Sequence, residues 1–246
     1  MFYAIKKKTV VYVFLIMLAL SALVLVCAVK EAADDAAVST MGESPVSEKI
    51  ILVDPGHGGF DAGASDNGVS EKDVNLSVAL KLKNCLEEQG AKVVMTREED
   101  VSTADGSREK GVSAKVSDLR KRREMIKDSG ADAFISVHMN KFPQSKYWGA
   151  QVFYANNSDG SKKLGESIQK ALPETLGDGN TRVAKSGDKS IYILKDAQIP
   201  SVIVECGFLS NPQEAEKLQD SDYQNKLAWA ISMGIYDYFK EMAETK

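Results

Sequence analysis

Only two histidines occur in the 246-residue chain, His57 and His138. Each closes a largely apolar run: Ile50–Asp54 leads through Pro-Gly to His57, and Ala133–Val137 leads directly to His138. A third run, Ser201–Val204, ends in Glu205, and a further acid, Glu71, opens a helical pattern after Ser70. In open α/β sheets, groups at the carboxyl ends of the strands share one rim, and ligands bind there. A carboxylate at a helix start is favoured by the helix dipole. Two imidazoles and two carboxylates are therefore expected to converge.

Two neutral imidazoles and one carboxylate make a three-ligand zinc site with an open fourth position, and hydrolysis needs a further base to take a proton from water. Context divides the two acids. Glu71 follows a glycine-rich stretch, Asp54–Gly63, and so is free to come close to His57, whereas Glu205 is fixed at a strand end. We assign His57, Glu71 and His138 as ligands of Zn2+ and Glu205 as general base. A lone histidine at a strand end is more often a packed core residue. It is the meeting of four such groups on one rim that carries the reading. Competing motifs fail on inspection: a dinucleotide loop starting at Gly56 needs glycine where Asp61 stands, and there is no Walker-type loop and no Gly-x-Ser-x-Gly elbow.

The elements that must position these groups are legible in the hydropathy pattern. Short apolar runs predict strands at Ile50–Asp54, Lys92–Thr96, Ala133–His138, Gln151–Tyr154, Ser190–Leu194 and Ser201–Glu205. Between them, Val74, Val78, Leu82 and Leu86 recur at helical spacing, with Ser70 and Asp73 as a capping box and Gly90 as the stop. Leu164, Ile168 and Leu172 mark a second helix, and Tyr223, Leu227, Ile231, Ile235 and Tyr238 or Phe239 a last one over one sheet face. Glu98–Ser117 is polar and reads as a loop. The expected fold is a single α/β domain, residues 49–241, with a largely parallel six-stranded sheet flanked by helices, and a tail at 242–246.

A different physics governs the N-terminus. Thr9–Val29 carries no charge over 21 residues and follows Lys6, Lys7 and Lys8. That length of helix spans about 30 Å of hydrocarbon, and the lysines keep its start in the cytoplasm, so residues 1–30 direct the remainder to the outer side of the membrane. Length favours a retained signal anchor, while Val26-Cys27-Ala28 offers a small-residue cleavage site. Residues 31–48, rich in Ala, Ser, Asp and Glu, read as a flexible linker.

Charge narrows the partners. The net charge is −4, and setting aside Lys6, Lys7, Lys8 and Lys30 leaves −8 on the remaining 216 residues, which excludes a general nucleic-acid binder. The basic run Arg120–Arg123 reads as a solvated helix face. Cys27, Cys85 and Cys206 form no paired metal motif.

Five separated motifs, Ile51-Leu-Val-Asp-Pro-Gly-His-Gly-Gly59, Glu71-Lys-Asp-Val-Asn75, Met95-Thr-Arg97, Phe134-Ile-Ser-Val-His-Met-Asn140 and Val204-Glu-Cys-Gly-Phe-Leu-Ser-Asn-Pro212, occur in order. Together they closely resemble the zinc-dependent N-acetylmuramoyl-L-alanine amidases of the Amidase_3 type, over Ile50 to Phe239. The resemblance implies zinc on His57, Glu71 and His138, catalysis by Glu205, and cleavage of the amide between N-acetylmuramic acid and L-alanine in peptidoglycan. Lys115–Asp132, with Asp118-Leu-Arg-Lys-Arg122, looks most like the sporulation and germination branch called CwlD. That likeness implies a spore-cortex substrate and an accessory lipoprotein as partner. Glu98–Ser117 leaves no room for the inhibitory helix of division-type relatives. Phe142, Tyr147, Trp148 and the loop Ala184–Lys189 are candidate substrate contacts. A vegetative wall amidase, a zinc peptidase and a non-catalytic wall- or partner-binding module are the alternatives. Analysis of digested peptidoglycan separates an amidase, a peptidase and a binding module.

Overall fold

The computed structural model describes residues 16–18, 20–26, 44–104, 111–156, 158–187 and 191–245. The chain divides into two units, Met1–Ser44 and Pro45–Lys246. In the first, residues 16–18 and 20–26 are helical and expose Leu23, Val24 and Leu25. Among the described residues no helix is long and apolar enough to cross a membrane. The expected span Thr9–Val29 extends outside them.

The second unit begins at β1 (Ile50–Pro55), preceded by a turn whose Val46 is fully buried, so the last residues of the expected linker belong to the core. A small hairpin, β2 (Ser65–Asp66) with β3 (Val69–Ser70), leads into α1 (Glu71–Glu88). Then come β4 (Lys92–Met95), α2 (Ala114–Asp128) and β5 (Ala133–Asn140). The second half adds β6 (Gln151–Tyr154), α3 (Asp159–Leu176), β7 (Lys185–Ser186) and β8 (Ser201–Phe208). Two helices close the chain, α4 (Pro212–Gln219) and α5 (Ser221–Glu244). The six-stranded sheet runs β4-β1-β5-β8-β6-β7, parallel except where β6 lies antiparallel to β8.

Alternation along the strands decides the layers, because successive side chains in a strand point to opposite faces. On one face lie Ile51 and Val53 of β1, Ala133, Ile135 and Val137 of β5, and Val202, Val204 and Cys206 of β8. They pack against the stripes Val74-Val78-Leu82, Leu164-Ile168-Leu172 and Leu227-Ile231-Ile235 of α1, α3 and α5. The other face carries Leu52, Phe134 and Ile203, covered by Ile126 of α2 and by Ile193, Leu194 and Ala197. Asp54, His138 and Glu205 share this second parity, so these three side chains and α2 lie on one side of the sheet, and Glu71 comes to the rim from α1, which packs on the other. Neither Cys85 nor Cys206 is disulfide-bonded.

Four local expectations are corrected. Tyr192–Leu194 is a 3-10 turn rather than part of a strand, and the sixth strand is β7. Ile193 and Leu194 are both buried in the same cluster, which a turn permits and a strand, sending neighbours to opposite faces, does not. Ser70 occupies the N-cap of α1, yet its hydroxyl makes no cap bond. The first amides of α1 are satisfied instead by backbone, Glu71 N donating to Ala64 O at 2.9 Å and Lys72 N to Ala62 O at 3.2 Å. Helix α2 starts within the expected loop, with Ser113 as its cap. Its basic run is not wholly solvated: Arg122 is among the largest fully buried side chains.

Candidate metal centre

The loop after β1 turns so sharply that His57 takes a left-handed φ of 62°. A non-glycine residue held there costs about 1–3 kcal/mol and persists only where surroundings enforce it. Two buried arginines do so through backbone carbonyls. Arg97 donates from Nε to Pro55 O at 3.0 Å and from Nη2 to Gly56 O at 3.1 Å. Arg122 donates from Nη1 to Pro55 O at 2.9 Å and from Nη2 to His57 O at 2.5 Å.

Arg122 is itself held between Asp54, an ion pair and short hydrogen bond, and Asp118, whose Oδ2 accepts from Nε at 2.7 Å. Burial works to raise the Asp54 pKa but is outweighed by Arg122 and by hydroxyl bonds from Ser136 and Thr96, each 2.6 Å, so the carboxyl stays below its ordinary range.

Glu71, the first residue of α1, reaches over the rim between the imidazoles. Its Oε1 lies 3.2 Å from His57 Nε2 and 2.9 Å from His138 Nδ1, and its Oε2 accepts from Ala64 N at 2.7 Å. Asn75, one turn on, donates to Gly56 O at 3.0 Å. Two glycines make the approach possible. A Cβ on Gly63 would stand 2.5 Å from Glu71 Oε2, and one on Gly56 2.2 Å from His138 Nε2.

One ligand-type atom from each of His57, Glu71 and His138 lies within 4.8 Å of the others. The rings meet edge to face, centroids 5.0 Å apart. Electrostatics agree with a cation site: burial alone would raise the Glu71 pKa, but the two imidazoles pull it far below the usual carboxylate range. Burial lowers the His57 pKa and is outweighed by Glu71 and Asp61, which raise it. Asp61 Oδ2, 2.9 Å from His57 Nδ1, makes Nδ1 the protonated nitrogen and leaves Nε2 for the shared centre.

Glu205 belongs to the same rim, paired in register with His138 on one side and Gln151 on the other. The residue is partly exposed, but its Oε2 is shut off from solvent and finds no hydrogen-bond partner among the described residues. Burial pushes its pKa up to about 7, with Glu71 adding to the rise and the imidazoles opposing it. An orphaned carboxylate oxygen beside a two-histidine, one-glutamate cradle is the donor set that fits one zinc ion plus a free base. All four residues expected from the sequence are thus brought together. Asp61, Arg97, Asn75 and Arg122 complete the site without having been assigned roles in advance. The four-residue step from His57 to Asp61 was the available signal for one of them.

Around this centre, Phe142 and Tyr147 stack edge to face at 4.8 Å, and Tyr147 lies 6.3 Å from Phe208. Phe142 and Trp148 are exposed. Arg182 covers the Phe208 ring at 4.7 Å. Of the other candidate rim loop, Ala184–Gly187 is described and contributes β7, while residues 188–190 lie outside the described residues.

Residues 51–237 match the Amidase_3 family model, described as N-acetylmuramoyl-L-alanine amidase. The chain is 42% identical to the germination-specific N-acetylmuramoyl-L-alanine amidase of Bacillus subtilis (strain 168) over 200 residues, covering 81% of this chain and 84% of the relative. The structure of the CwlD amidase from Clostridioides difficile in complex with the GerS lipoprotein aligns with a TM-score of 0.74 at 43% identity, covering 79% of this chain and 100% of that one. An N-acetylmuramoyl-L-alanine amidase from Clostridium difficile 630 aligns with a TM-score of 0.68 at 29% identity, covering 79% and 98%. With its six-stranded α/β domain and a family match over nearly the whole folded unit, this chain belongs to the Amidase_3 family of N-acetylmuramoyl-L-alanine amidases.

Proposed function

We propose that the protein hydrolyses the amide between N-acetylmuramic acid and L-alanine in peptidoglycan, with zinc held by His57, Glu71 and His138 and with Glu205 as general base. The observation that carries the reading is the unpartnered Oε2 of Glu205 on the same rim as the three clustered ligand atoms. A bound zinc ion would supply Lewis acidity, polarising the carbonyl and acidifying water. Glu205 then accepts the proton of the attacking water and passes it to the departing L-alanine nitrogen. Asp61 holds the His57 ring in the tautomer that presents Nε2. A module that only bound the wall would have no use for a buried, unpaired carboxylate, which costs stability when left so.

The germination-specific relative supports a spore-cortex substrate, and the lipoprotein-bound relative supports an accessory lipoprotein as partner. Export to the outer side of the cytoplasmic membrane rests on the uncharged run Thr9–Val29 behind three lysines. The test is mass spectrometry of digested peptidoglycan with zinc-loaded protein, with and without candidate lipoproteins. Released stem peptides beginning with L-alanine are expected; shortened peptides would indicate a peptidase, and no release a binding module. Glu205→Gln should keep zinc and lose at least about a hundredfold in kcat; full turnover in that variant rejects the assignment of the base.

A further inference from the structure

We propose that Arg182 is a specificity residue of this same site, binding a carboxylate of the acidic peptide on the leaving-group side of the scissile amide. The inference rests on the amidase reading above. Strand β6 runs antiparallel to β8, so Gln151, its first residue, lies at the carboxyl end of β8 directly opposite Glu205. Directly opposed side chains in such a pair stand on one face with Cβ atoms about 5 Å apart. Gln151 is buried, and its amide is committed to Arg182 and its neighbour: Oε1 accepts from Arg182 Nη1 at 3.1 Å, and Nε2 donates to Val183 O at 3.0 Å. Arg182 Nε donates to Trp148 O at 2.8 Å, and the guanidinium lies over the Phe208 ring.

The guanidinium is therefore fixed on three sides, one residue removed from the proposed base. Its charge, however, is closed by no ion pair: among the described residues no carboxylate lies within ion-pair distance of it, and Glu214 feels it only through space. The nearby Glu214 is turned to backbone, accepting from Gly149 N at 2.9 Å and Phe208 N at 2.8 Å. Arg122, by contrast, is neutralised by Asp54 and Asp118. A preorganised guanidinium with a free edge suits a planar carboxylate. Exposed Phe142, Trp148 and Val183 on the surrounding loops offer the apolar contact that a peptide needs.

The experiment compares two disaccharide-peptide fragments of peptidoglycan, one with its glutamate carboxylate free and one with it amidated. Zinc-loaded wild type, Arg182→Ala and Arg182→Lys are assayed on both, with zinc content and Tm recorded. Wild type should prefer the carboxylate fragment, and Arg182→Ala should raise KM for it by about ten- to a hundredfold, bringing the two kcat/KM values together. Arg182→Lys should recover part of the preference. A loss of equal proportion on both fragments, or a fall in kcat alone, overturns the proposal and leaves Arg182 a brace for Gln151 and the Trp148 loop. A wild type without preference between the fragments overturns it as well. A wild type that cleaves neither fragment instead removes the amidase reading, and this inference with it.

Discussion

Single atoms decide most of the chemistry here. The His57 imidazole is poised by Asp61 at 2.9 Å, so Asp61→Ala should weaken zinc binding by about 10- to 100-fold in a chelator competition while leaving the fold intact. Glu205 gives a pH signature. Its pKa in the metal-free fold stands near 7, above the ordinary 4.5, so the folded protein holds a proton there that the unfolded chain has released. Its contribution is complete below about pH 4.5 and is lost as pH rises through 7, an effect on the order of 3 kcal/mol. Denaturant titrations of metal-free wild type should show that decline relative to Glu205→Gln, in which it is absent. The four principal residues were legible because the chain has only two histidines and each followed a strand-like run. Arg97 and Arg122 were not assigned roles, because they act on the metal loop through backbone carbonyls, which leave no trace in residue types, and the acids that hold Arg122, Asp54 and Asp118, meet it only in the fold.

At the scale of elements, the strands that carry ligands were readable from their apolar runs, and the failures came where tertiary contacts overrode local pattern. Ser190–Leu194 has a strand's composition, yet a turn buries Ile193 and Leu194 together; β7 is only two exposed residues long and has no apolar signature. Helix α2 carried a charge run that reads as solvent-facing, although Asp54 lies below it and draws Arg122 inward. This helix is a brace for the metal loop as much as a cover for the sheet. Arg122→Met should destabilise the protein by about 3–5 kcal/mol in urea unfolding, because Asp54 and Asp118 would be left buried without their countercharge. It should also loosen zinc binding, since the His57 carbonyl loses its donor.

For the molecule as a whole, the α/β architecture followed from alternating apolar runs and helical stripes, while the packing of two cores on opposite sheet faces emerges only when strand parity is laid on the topology. Zinc should act on this unit as a ligand of the native state. Saturating metal at about 100 times Kd is expected to add roughly 2.7 kcal/mol, visible as a higher Tm that chelator reverses and His138→Ala abolishes. The groups at positions 57, 71, 138 and 205 arrive from β1's exit, the start of α1, β5 and β8, so the site draws on three adjacent strands in the middle of the sheet and on one helix. No segment that ends before position 205 holds all the parts. The metal centre is thereby a property of the finished fold, and its parts stay scattered along the chain until β8 has docked beside β5.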